Sequence, residues 1–184
     1  MSALWIALGV ALIALGLRDA FSTLFQPMGH GQLGGYLARG IWLVTRSAGA
    51  RALPYAGPAG MVTVALAWFL AVGAGWALIL WTALPDDALL ATGLDPADQD
   101  GFGDALYWSF TVLTTLGFGD ITPIGQPLRV AVVVEALMGF GLLTAGLTWL
   151  LSVVSGVGRA RLTAARAHAL WVTGAEADEA DAAP

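Results

Sequence analysis

Apolar residues cluster along this chain in three long blocks separated by polar connections. The first runs from about Ala3 to Phe25, the second from about Gly60 to Leu84 and the third from about Pro127 to Val157. A helix crosses the hydrocarbon core of a bilayer with about 20 residues, so each block is long enough to span. The second block carries no charge, and the third carries only Arg129 near its start and Glu135 inside it. A further apolar stretch, Ala105 to Thr115, is too short to cross and reads as a re-entrant or core helix. Asp104 stands just before it, as an N-cap or first-turn acid suited to the positive end of a helix dipole.

The connections differ in charge. Residues 85–104 hold Asp86, Asp87, Asp95, Asp98, Asp100 and Asp104 with Pro85, Gly93 and Pro96, which makes a solvated acidic segment. Residues 26–59 hold Arg39, Arg46 and Arg51 and no acid, and Arg159, Arg161 and Arg166 follow the third block. Arginine excess marks cytoplasmic connections, so the acidic segment and the N-terminus are expected outside. Between Tyr36 and Leu53 the arginines alternate with Trp42, Leu43 and Val44, as in a helix lying on the membrane surface or an ordinary linker. Met1 to Leu17 has no preceding positive charge and no small-residue cleavage site after it, so it reads as a helix rather than a cleaved signal. Ala175 to Pro184 is Ala-rich and acidic and is expected to be disordered.

Composition narrows the chemistry. The chain is 58% hydrophobic and 11% charged, with a mean hydropathy of +0.75. That balance suits lipid as the solvent. Cysteine is absent, which excludes disulfides, thiolate metal sites and a cysteine nucleophile. His30 and His168 lie far apart and read as ordinary polar residues. A net charge of −5 without a basic cluster argues against nucleic acid as a partner. No Ser/His/Asp set, metal cluster or phosphate loop is visible, so neither an enzyme nor a cofactor is expected. Arg18 and Asp19 sit near the cytoplasmic end of the first block, where the arginine can snorkel and pair with Asp19 or a neighbour. One arginine is too few for a voltage sensor.

The segment Thr115-Leu116-Gly117-Phe118-Gly119-Asp120 stands between the short helix and the third block. In isolation a Gly-x-Gly-Asp sequence is a turn. At membrane depth, irregular backbone is tolerated only inside protein or along a water-filled cavity. Cations cross a bilayer when rings of backbone carbonyls replace their hydration shell. Glycine at alternate positions admits left-handed angles, which lets successive carbonyls face one way. Thr115 adds a hydroxyl oxygen, and Leu116 and Phe118 are expected to point into packing. A short helix ahead of the segment aims its negative carbonyl end at the same place. Glu135, buried in the third block, suits a polar brace against that helix.

The run from Trp108 to Pro123, followed by Val130–Val134 and Gly139, resembles the pore of the potassium channel family. Residues from about 61 to 155 look like its two-span module: pore helix, signature filter, Asp-x-x-Pro exit and inner helix. The resemblance implies an all-α membrane protein with an extra N-terminal helix. It implies a homotetramer in membrane lipid that passes K⁺ passively, because one loop supplies a quarter of each carbonyl ring. Thr115, Leu116, Gly117, Phe118 and Gly119 would coordinate K⁺. Thr114, Asp120, Tyr107, Trp108 and Glu135 would support the filter, and Gly139 would be the inner-helix hinge. The chain then divides into an N-terminal helix (1–25), a cytoplasmic connection (26–59), a pore domain (60–157) and a tail (158–184). Small size and an Ala/Gly/Arg-rich, lysine-free composition point to the plasma membrane of a prokaryote.

Departures from the family pattern stand at four positions. Phe118 takes the place of a tyrosine, Leu116 of valine or isoleucine, and Tyr107 of a tryptophan that partners the filter aspartate. Thr111 stands where some bacterial members carry glutamate. A weakly selective cation channel and a non-conducting accessory subunit are the alternatives.

Overall fold

The computed structural model describes residues 2–25, 32–47, 49, 51, 56–84, 88–90 and 101–181. Among these residues five helices and two short strands follow one another: α1 (Ser2–Phe25), α2 (Gln32–Ser47), α3 (Ala56–Trp81), β1 (Ala88–Leu90), α4 (Phe102–Leu113), β2 (Ile121–Pro123) and α5 (Gln126–Asp181). Among the described residues three helical stretches are long and apolar enough to cross a membrane: Ser2–Leu24, Ala56–Trp81 and Gln126–Val153. The chain is a largely helical membrane protein, as the hydropathy pattern predicts.

Two compact units divide it, Met1–Gly146 and Leu147–Pro184. The second holds the later part of α5, which is helical through Asp181. The sequence expects a tail there, disordered from Ala175. Ala and Glu have high helix propensity, and that local preference continues the helix where no apolar face requires it. Residues 182–184, His30 and the aspartates at 86, 87, 95, 98 and 100 lie outside the described residues.

In the first unit, α3 is the central element. Lipid offers no hydrophobic drive for helices to associate, so close packing through small residues must supply it. Gly9 of α1 and Gly75 of α3 show this: a Cβ on Gly9 would stand 2.5 Å from the Gly75 carbonyl oxygen, and one on Gly75 would stand 2.7 Å from the Gly9 oxygen. Beside that crossing, Ile13, Val72, Trp76 and Leu113 form a buried cluster joining α1, α3 and α4.

A buried carboxylate secures the other end of α1. Asp19 turns inward, and its Oδ2 accepts the Trp68 Nε1–H at 2.8 Å and the Gly34 N–H at 3.3 Å. One oxygen thus caps the first turn of α2, where backbone donors have no helical partner, and holds α3 as well. Arg18, the partner suggested by adjacency, is exposed.

The strands are an addition to the all-helical expectation. β1 and β2 pair antiparallel, with Ala88 opposite Pro123, Leu89 opposite Thr122 and Leu90 opposite Ile121. This ribbon ties the segment after α3 to the chain leaving the 115–120 loop. Leu80, Ala88, Trp108 and Ile121 pack beneath it.

Candidate functional site

The site is built on α4. Its N-cap is Gly101, whose N–H donates to Asp104 Oδ2 at 3.2 Å, so Asp104 serves from the first turn. The helix runs to Leu113, two residues short of the expected end. Thr114 closes it with its N–H on the Phe110 carbonyl at 3.0 Å. Its hydroxyl returns to the same carbonyl at 2.6 Å.

Beyond Thr114 the backbone alternates in hand. Thr115 has φ +59°, Gly117 φ +51° and Gly119 φ +76°, while Leu116 and Phe118 keep ordinary negative values. Thr115 is the sole non-glycine described residue in the left-handed region, a conformation that costs a side-chain-bearing residue about 1–2 kcal/mol. Successive residues of opposite hand turn their N–H groups to one side and their carbonyls to the other. The N–H side faces α4: Thr115 donates to the Val112 carbonyl, and Leu116 and Gly117 both donate to the Thr111 carbonyl, each at 2.9 Å. No described residue donates to the carbonyls of Thr115 through Gly119, and all five residues are exposed in the single chain. Such an edge of unengaged oxygens can hold dehydrated monovalent cations.

The far end of the loop is fixed by Tyr107. Its hydroxyl donates to Asp120 Oδ2 at 2.5 Å, and its ring stacks on Phe118 with centroids 6.5 Å apart and planes 6° from parallel. The hydrogen bond to Asp120, then burial, then the aspartate's charge raise the Tyr107 phenol above its ordinary value. Asp120 Oδ1 accepts the Ile121 N–H at 3.1 Å. Trp108, from the same helix, is buried in one cluster with Ile121 at the loop's exit. Arg129, at the start of α5, donates from Nε to the Pro123 carbonyl at 3.2 Å.

Behind α4, Glu135 of α5 is fully buried. Its Oε1 lies 2.5 Å from Ser109 Oγ, which also lies 2.9 Å from the Gly73 carbonyl of α3. Three helices therefore meet at one hydroxyl. Ser109 has one proton for two oxygen neighbours, so both links form together only when a donor comes from the Glu135 side.

One turn further along, α5 presses on the end of α4. A Cβ on Gly139 would fall 2.0 Å from the Leu113 carbonyl oxygen. The geometry at Gly139 is close approach within unbroken helix.

The structure thus gathers Tyr107, Trp108, Thr114, the 115–119 run, Asp120 and Glu135 around one helix. Ser109, Gly73 and the Thr111 carbonyl belong to the same assembly and are missed by sequence reasoning. A backbone acceptor leaves no side-chain signal. Ser109 is signalled only weakly, as a hydroxyl on an apolar helix that a buried carboxyl needs.

Comparison with known proteins places most of the α3–α5 region in a family. Residues 63–155 match the family described as Ion channel. The chain is also 28% identical over 176 residues to the uncharacterized membrane protein YdjJ of Bacillus subtilis (strain 168), which covers 94% of this chain and 50% of the relative. This match takes in α1 and α2 as well as the pore-like half, and the chain spans about half the length of that relative. No solved structure matches the chain.

Proposed function

Because the chain belongs to the ion channel family, we propose that it is a tetrameric channel conducting K⁺ passively through the carbonyls of residues 115–119. The observation that carries this reading is the alternation of φ at Thr115, Gly117 and Gly119, with every N–H from Thr115 to Gly117 spent on α4. What is left facing outward is a row of carbonyl oxygens with the Thr115 hydroxyl at its inner end. A K⁺ ion sheds water at Thr115 and steps between successive oxygen rings, driven on by the next ion behind it. The C-terminal end of α4 adds partial negative charge at the entrance to the row.

A single chain supplies one side of each ring, and four copies close it. The apolar surface that one chain exposes supports this: Leu116 and Phe118 in the loop, with Val130, Val133, Leu137 and Phe140 on α5, are all more than half exposed. Neighbouring copies would cover that surface. Gly139 serves as the bending point of α5 in this reading, and the bacterial plasma membrane is where the channel works.

Parallel flux measurements with K⁺ and Na⁺ in proteoliposomes of the purified chain test the assignment. The reading requires K⁺ flux well above Na⁺ flux. Equal fluxes would make the protein a weakly selective cation channel, and none from a well-formed tetramer an accessory subunit.

A further inference from the structure

We propose that the exposed face of α2 is a binding surface for anionic phospholipid headgroups, with Arg39 and Arg46 meeting the lipid phosphates. The helix divides its faces sharply. Gly34 is buried and Leu37, Ile41 and Thr45 are half-buried, a three-to-four spacing that places one stripe against the rest of the unit. Opposite it lie Tyr36, Arg39, Leu43 and Arg46, all exposed, with Tyr36 at 71% and Leu43 at 59%. The Arg46 guanidinium sits 5.1 Å from the centre of the Trp42 ring, which holds it on this face.

This positive charge has no counterpart nearby in the sequence. Residues 20–85 contain no aspartate or glutamate. The nearest acid, Asp19, is buried and bound to Trp68 and Gly34. No described carboxylate pairs with Arg39 or Arg46.

The chemistry of the face selects its occupant. An apolar protein helix would cover Tyr36 and Leu43 but bury two guanidiniums without counter-charge, which is costly. A second copy of α2 would bring the same arginines. Free phosphate would satisfy the arginines and leave the rings and aliphatic groups in water. An anionic phospholipid offers phosphate and hydrocarbon side by side, the pairing that basic amphipathic helices exploit at membrane surfaces. Through Asp19, which caps α2 and holds Trp68, an occupied face is tied to α3.

The test is binding of radiolabelled phosphatidylglycerol to the full chain in uncharged detergent, against excess phosphatidylcholine. The wild type is expected to prefer phosphatidylglycerol. Juxtamembrane arginines contribute about 1 kcal/mol each toward anionic lipid, so R39Q/R46Q weakens binding roughly 30-fold, while R39K/R46K retains most of it. Equal affinity for the two lipids overturns the proposal. So does wild-type binding by R39Q/R46Q, or displacement of the label by inorganic phosphate at matched concentration. A changed oligomeric size in R39Q/R46Q with lipid binding intact assigns the face to a second copy, which also overturns it.

Discussion

The Tyr107 hydroxyl donates to Asp120 Oδ2 at 2.5 Å while the same ring lies parallel to Phe118. One side chain of α4 therefore grips the carbonyl-lined loop at two places, by a charged hydrogen bond and by an aromatic face. Phe118 has no hydroxyl with which to brace itself, and stacking on Tyr107 takes that part.

Y107F keeps the stack and removes the bond. It is expected to lower K⁺ flux several-fold with membrane insertion unchanged. Tyr107 also carries a pH signature, because its bond to Asp120 raises the phenol above about 10. The folded protein favours the neutral phenol, so this contribution is complete below the ordinary tyrosine value and lost as pH rises through the raised one. Subtracting the Y107F phenolate absorbance titration from that of the wild type isolates Tyr107. A midpoint at or below the ordinary value would contradict the bond.

At Ser109 the requirement is a donor from α5. E135Q supplies one from its amide and is expected to unfold within a few degrees of wild type. E135L removes that donor: the Ser109 hydroxyl keeps its bond to the Gly73 carbonyl but its oxygen is left without a donor, with an expected loss of about 1–3 kcal/mol. Thermal unfolding in detergent reads both. Equal losses in the two variants would remove the hydrogen-bond account of Glu135.

Gly139 and Gly141 separate close approach from mere helix composition. G139A forces a methyl into the Leu113 carbonyl, backbone that cannot yield, and is expected to cost about 1–3 kcal/mol or more. Nothing lies within 4 Å of a Cβ on Gly141, so in the isolated chain G141A is expected to stay within about 0.5 kcal/mol. Unfolding of monomeric material in strong detergent measures the pair, and similar values for both would refute the contact.

Asp19 joins α1, α2 and α3 through one oxygen. D19A deprives Trp68 Nε1 and the Gly34 N–H of that acceptor, with an expected loss of about 1–3 kcal/mol. Protease accessibility of the connection between α1 and α2 should rise. An unaltered digestion pattern would show that α2 is held by other contacts.

Much of this architecture is legible in the chain because membrane spans advertise themselves by length and hydropathy. The short α4 stands out by being too brief to cross, and Gly117 and Gly119 by a spacing that only backbone geometry explains. The left-handed Thr115 does not stand out, since nothing in a threonine announces it. Links between distant segments are equally silent: Asp19 reaches Trp68 across 49 positions and Ser109 reaches Glu135 across 26. The β1–β2 ribbon escapes notice because three-residue strands are shorter than any alternating pattern can reveal. The helix beyond residue 158 follows local propensity, which the charge pattern there obscures.

The most direct test of the central claim is K⁺-driven flux into proteoliposomes of the purified chain, with G117A beside the wild type and barium as blocker. At φ +51° an added side chain costs about 1–2 kcal/mol and turns the carbonyls at the middle of the row. The account predicts barium-sensitive K⁺ flux in the wild type and its loss in G117A at equal tetramer content. Absent flux in a well-formed wild-type tetramer, or undiminished flux in G117A, would contradict it.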